Sequence, residues 1–172
     1  MNRRRRLFLF LPALLASGCG FQLRGAPEWP QELTPIYIEG LGVRNPLYLI
    51  LAQRLRGAGV EVLSSRSPEA AVLQVLFLGE ERRVLSVTGA ARISEYELTR
   101  VLETALRIPG EPEAVPLGRL QANRVYVFDA ASVLSQRERE EELARAMDRD
   151  LVRLLQLRVQ AVMRARAEAG TR

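Results

Sequence analysis

Histidine and lysine are absent from this 172-residue chain, and cysteine and tryptophan occur once each, as Cys19 and Trp29. Without histidine and with a single thiol there is no Cys/His metal cluster, no Ser-His-Asp triad, no Cys-His dyad and no internal disulfide. Only carboxylate chemistry survives as a route to catalysis. Its dense candidates are Glu80-Glu81, Glu95 with Glu97, and Glu140-Glu141-Glu142. Aromatics make up only 6% of the chain, so no sugar-binding platform surrounds any of them. They read as solvated or partner-facing charge rather than as a glycan hydrolase, and the function expected is not enzymatic and needs no cofactor or metal.

An excess of charge of one sign is scarce outside one cluster. The formal charge is +5 and the pI about 10.3, but Arg3, Arg4, Arg5 and Arg6 stand together and residues 1–19 contain no acid. Removing that segment leaves 25 − 4 = 21 arginines against 20 acids, a net of +1. A near-neutral body lacks the clustered cations that phosphate-backbone binding needs, so no nucleic-acid partner is expected. A hydrophobic share of 48% and about 150 residues beyond the leader predict one compact domain.

The amino terminus reads as an export signal: Arg3–Arg6, then the apolar run Leu7–Ala16, then small residues up to Cys19. Ten residues of helix reach roughly 15 Å, half of a ~30 Å hydrocarbon core, which is too short to span it. Leu15-Ala16-Ser17-Gly18-Cys19 resembles a bacterial lipobox, departing from it in Ala16, where Leu is common. The plainer alternative is an ordinary cleaved signal with an incidental Cys, but a lone Cys at the cleavage junction argues for lipidation. Acylated Cys19 would then open the mature chain, and two or more acyl chains anchor stably. Gly20 stands where Asp would signal inner-membrane retention, so the outer membrane is the expected address.

The expected organisation is a signal peptide over 1–18, a lipidated tether over 19–35, one domain over 36–168 and a tail over 169–172. Ile36-Tyr37-Ile38 reads as a short strand. Asn45-Pro46 predicts a helix start with Asn at the N-cap and Pro at N1, and Leu47, Leu51, Leu55 and Ala58 give that helix one apolar face up to Gly57 or Gly59. Val60–Leu63 reads as the next strand. Ala71–Val87 follows as a long strand interrupted at Gly79-Glu80-Glu81-Arg82-Arg83, with a turn at Thr88–Ala91. Ile93–Ile108 alternates, with Tyr96, Leu98, Leu102, Leu106 and Ile108 on one face and Glu95, Glu97, Thr99, Glu103 and Arg107 on the other, as in an antiparallel strand with one buried face. Leu117–Phe128 is the last long strand. A helix from about Glu138 to Glu168 closes the chain, with acids in its first turns. The fold class is α+β: two helices packed on one face of a four-stranded, largely antiparallel (mixed) sheet.

Gly18-Cys19-Gly20-Phe21-Gln22-Leu23-Arg24-Gly25 is similar to the motif that opens the mature LPS-assembly lipoprotein family (LptE). The resemblance continues through Leu55–Leu63, through Ser94-Glu95-Tyr96-Glu97-Leu98 and through Phe128-Asp129, in order along nearly the whole mature chain. Phe21 stands where Trp is also common. What the resemblance implies is a lipid-anchored plug in the lumen of the outer-membrane LPS-assembly β-barrel (LptD), binding lipopolysaccharide and helping to pass it to the outer leaflet. It also implies ligand contacts: Arg92 at the tip of the long hairpin, and Arg137 in the loop Ser135-Gln136-Arg137 before the last helix, match places where the family carries basic residues linked to lipopolysaccharide. Guanidinium forks hold phosphates bidentately, and lipid A bears phosphates. The competing expectation is an accessory lipoprotein subunit of another envelope transport system.

Overall fold

The computed structural model of the chain describes residues 29–87, 93–128 and 133–170. Trp29 and Leu33, on a stretch expected to be tether, are both buried, with a single 3-10 turn at Gln31–Leu33 between the Pro30 kink and the body. Five strands follow: β1 Ile36–Glu39, β2 Val62–Leu63, β3 Ala71–Val87, β4 Ile93–Arg107 and β5 Val115–Val127. The helices are α1, Pro46–Gly57, and α2, Val133–Gly170. The sheet runs in the order β2-β1-β3-β4-β5, parallel at β2/β1 and β1/β3 and antiparallel at β3/β4 and β4/β5. The mixed α+β architecture is as expected, but the sheet has five strands rather than four. The strand read at Val60–Leu63 joins it as β2, pairing through only two residues, Val62 and Leu63, on the outer side of β1.

Local chemistry explains the first helix. The Asn45 side chain accepts a hydrogen bond from the Leu47 amide at 2.9 Å, and Pro46 fixes the first helical φ. Leu47, Leu51, Ala52 and Leu55 turn one face inward. β1 ends at Gly40, whose φ of +86° and closeness to the Val75 backbone leave no place for a Cβ.

The charged run Glu80–Arg83 does not interrupt β3, because each of its ion-paired members finds a partner on a neighbouring element. Glu80 meets Arg100 at 2.9 Å, Arg83 meets Glu97 at 2.8 Å and Arg82 meets Glu140 at 3.5 Å. The second helix also departs from expectation: it begins at Val133, five residues before Glu138. No Gly or Pro stands between these positions, so nothing stops the helix from running back. Glu138–Glu142 therefore lie in its second and third turns, and its first turn holds no acid.

Both helices pack on one side of the sheet. Ile36, Ile38, Leu73, Leu98, Leu102, Leu106, Leu117 and Leu120 meet Leu51 and Leu55 of α1 and Met147, Leu151, Leu155 and Val159 of α2 in one core. Each fully buried leucine contributes roughly 2 kcal/mol through removal of its surface from water. Among the described residues nothing packs on the opposite face. Its side chains include the pairs Arg83–Glu97–Asn123 and Glu103–Arg119, and between them Phe77, Val125 and Val127 are 50%, 52% and 59% exposed.

Candidate functional site

The register of the three long strands sets out the helix-covered face as a series of rungs. Val84, Tyr96 and Tyr126 form the rung nearest the end of β3 at Val87; Arg82, Leu98 and Arg124 form the next; Glu80, Arg100 and Ala122 the one after; and Leu78, Leu102 and Leu120 a fourth. The last is apolar and lies in or against the core. The first three carry aromatic and charged groups instead, and the leading half of α2 passes over them.

Three arginines, one from each long strand, reach up to carboxylates of α2. Arg82 meets Glu140 at 3.5 Å, the Arg100 Nε stands 2.9 Å from Asp148, and Arg124 pairs with Asp150. Arg100 is also 2.9 Å from Glu80 within the sheet. The middle of α2 packs through Met147, Leu151, Leu155 and Val159, all fully buried. Its far end is held by Arg166, which pairs with Glu111 beyond β4. Thus the centre of α2 combines buried apolar side chains with the Asp148 and Asp150 ion pairs, and Glu140 and Arg166 hold it by charge toward its two ends.

The cluster nearest the end of β3 is the richest. Arg82 lies 4.8 Å above the Tyr96 ring, a cation–π distance. Tyr96 stacks on Tyr126 at 5.7 Å and meets Phe128 edge-on at 5.5 Å. The Tyr126 hydroxyl donates to Glu140. Burial, reinforced by that hydrogen bond to a carboxylate, pushes the Tyr126 hydroxyl up to about 12. Hydrogen bonding to the Tyr126 oxygen and the charge of Glu140 raise Arg82 above its ordinary range. Deeper under α2, burial raises the Asp148 carboxyl, with Arg100 opposing the shift. On the open face, hydrogen bonds from Asn123 and then Arg83 lower Glu97. These shifts describe a site that holds an anion between a fixed cation and a protonated phenol.

Arg137 is placed beside this cluster. It belongs to the helix rather than to a loop before it, is exposed, and stands three residues before Glu140, hence on an adjoining part of the helix surface. Arg92 and Cys19 lie outside the described residues. Sequence reading missed Arg82, Tyr126 and Arg124, and set Glu140 aside as solvated or partner-facing charge. The available signal was the shared parity of Tyr96 and Leu98 on β4, but the partners across the strands need the register. Among the described residues no group of three or more acidic or thiol side chains is placed to hold a metal ion, and no helix is long and apolar enough to cross a membrane.

Three comparisons set this geometry among known proteins. The sequence model of the LptE family, described as lipopolysaccharide-assembly, matches residues 33–159. The LPS-assembly lipoprotein LptE of Photorhabdus laumondii is 29% identical over 154 residues, covering 85% of this chain and 84% of that protein. The crystal structure of rare lipoprotein B from Shewanella oneidensis superposes with a TM-score of 0.66 at 23% identity, over 78% of this chain and 99% of that one, a likeness of fold. The solution structure of a lipoprotein B from Nitrosomonas europaea gives a TM-score of 0.63 at 26% identity, covering 83% of this chain and 90% of the other.

Proposed function

Because the chain belongs to the LptE family and so has its role in lipopolysaccharide assembly, we propose that it is an outer-membrane lipoprotein that plugs the LPS-assembly β-barrel. In this reading it binds lipopolysaccharide and aids its delivery to the outer leaflet. The signal peptide ends at residue 18, and acylated Cys19 anchors the mature chain at the periplasmic side. Residues 19–35 lead into the single domain, whose body occupies the barrel lumen. Arg92 and Arg137 contact the phosphates of lipid A. No catalytic step belongs to this function.

The family match across the body of the chain is the observation that carries the reading. The open sheet face supports it: a two-layer domain in water gains nothing from half-exposed Phe77, Val125 and Val127, whereas a surrounding wall would cover them. Their alternation with paired charges suits a wall that is polar inside. An accessory subunit of some other envelope transporter would share the anchor but would have no reason to match this family over residues 33–159. Extraction of the tagged full chain in mild detergent, followed by identification of what co-purifies, tests the proposal. A large outer-membrane β-barrel in stoichiometric amount is expected. Recovery of a different transporter with no such barrel would overturn it.

A further inference from the structure

The strongest unassigned feature is the anion position between Arg82 and Tyr126. In the free protein the Glu140 carboxylate sits there, 3.5 Å from the Arg82 guanidinium and accepting the Tyr126 hydroxyl. The residues that hold it are anchored independently: Arg82 over the Tyr96 ring, Tyr126 stacked on the same ring. Glu140, by contrast, comes from the leading part of α2. The side chains of Arg82 and Glu140 are 52% and 31% exposed, so the position opens to solvent.

A guanidinium and a phenolic hydroxyl converging on one point make a better fit for phosphate than for a single carboxylate. Phosphate carries more charge at neutral pH and offers three strong acceptor oxygens, enough for the fork and the hydroxyl together. Arg124 stands on the same rung as Arg82, across Leu98, roughly 10 Å away across two strand spacings. Val84, on the neighbouring rung beside Tyr96, is 43% exposed. An exposed apolar side chain thus adjoins the anion position.

We propose that Arg82 and Tyr126, with Arg124 flanking them, form a site for the phosphate monoester of an amphiphile, and that Glu140 is its built-in competitor. Binding exchanges one anion for another at a fixed pair of donors, and Glu140 swings out into solvent while its helix stays in place. The proposal deepens the lipopolysaccharide reading and rests on it for the identity of the amphiphile; the phosphate site itself does not.

The test uses the purified full chain, its Glu140→Gln variant and the double variant Glu140→Gln/Arg82→Gln. Each is titrated with lipid A, with enzymatically dephosphorylated lipid A and with inorganic phosphate. Glutamine still accepts the Tyr126 hydroxyl but no longer competes as an anion, so Glu140→Gln should bind lipid A about fivefold tighter, equivalent to roughly 1 kcal/mol for one partly exposed ion pair. Binding of dephosphorylated lipid A should not change, and the double variant should fall back to the parent or below. Glu140→Gln binding equal to the parent, or tightened alike for both lipids, would overturn the proposal. If the parent binds no lipid A, the lipopolysaccharide reading fails. The inorganic phosphate arm then decides for the site alone: uptake by Glu140→Gln and not by the double variant upholds it, and uptake by neither overturns it.

Discussion

Tyr126 shows how one buried hydroxyl couples a strand to a helix. Its pKa is raised from 10.0 to about 12 by burial and by its bond to Glu140. A proton held more tightly in the folded than in the unfolded chain stabilises the fold fully below the unfolded value, and that contribution is lost as pH rises through the folded one. The window here runs from about pH 10 to about pH 12. Two units bound the loss at about 2.7 kcal/mol, and the partly exposed Glu140 brings it to the order of 2. Tyr126→Phe should cost about 1 kcal/mol at neutral pH through the lost hydrogen bond, and should flatten the alkaline fall in urea midpoint; an equally steep fall in the variant would place its origin elsewhere. Glu97 works at the acid end with the opposite sign: lowered by Asn123 and Arg83, it favours the fold above its unfolded value of 4.5 and loses that contribution as pH falls through its folded one. The arginines proposed to meet lipid A call for charge reversal, because exposed contacts are individually weak, on the order of 1 kcal/mol or less. Arg92→Asp with Arg137→Asp should weaken lipopolysaccharide binding in a salt-sensitive way while thermal unfolding stays unchanged, and salt-independent, undiminished binding would remove both from the mechanism.

The long helix is the element whose placement depends most on charge. Asp148 is essentially buried and its partner Arg100 nearly so, with side chains 2% and 15% exposed. Deleting one partner of such a pair strands the other in a poor solvent, at a cost of about 3–5 kcal/mol, whereas replacing both with apolar groups of similar size is close to neutral. Glu80 still partners Arg100, so Asp148→Asn should sit near the lower bound, and Arg100→Met/Asp148→Leu should recover most of the loss in a urea denaturation series. A double variant as unstable as the single one would show that packing, not the stranded charge, sets the cost. These cross-sheet pairs also mark where the sequence stops being legible. The Asn45-Pro46 helix start is local, and the alternation along Ile93–Ile108 reports one covered face, so both are readable from neighbouring residues. Which carboxylate each of Arg82, Arg100 and Arg124 would meet depends on strand register and helix position, which no local pattern encodes. For the same reason Glu80–Arg83 looked like a break in β3: four charged residues in a row favour a loop until their partners on β4 and α2 are in view. Ser135-Gln136-Arg137 is polar like a loop and so points to a later start for α2, yet buried Gln136 and the absence of a breaker let the helix continue.

At the scale of the whole molecule, the described residues cover the sheet on one side only, and the other side has two characters. Val72, Val101 and Ala105 are buried among their own neighbours there, while Phe77, Val125 and Val127 are half exposed or more. Among the described residues β5 also has no partner along its 13-residue outer edge, and long free edges invite pairing with other chains unless something shields them. A body enclosed by a barrel wall has both features protected, and a body free in solution has neither. The plug proposal therefore predicts a difference in local opening. With the barrel co-expressed, cleavage by a protease of broad specificity should be slow along β5 and the open face. Purified without the barrel, the same chain should be cut there several times faster, since local opening of an edge strand is a low-free-energy event. Val125→Asp sharpens the test because that side chain points away from the core: it should leave the thermal midpoint of the isolated chain nearly unchanged, as surface substitutions do to within about 0.5 kcal/mol, yet reduce recovery of the barrel in mild detergent. Equal digestion with and without the barrel, together with undiminished recovery of the barrel by Val125→Asp, would mean that the open face meets no wall and that the contact lies on the helical side.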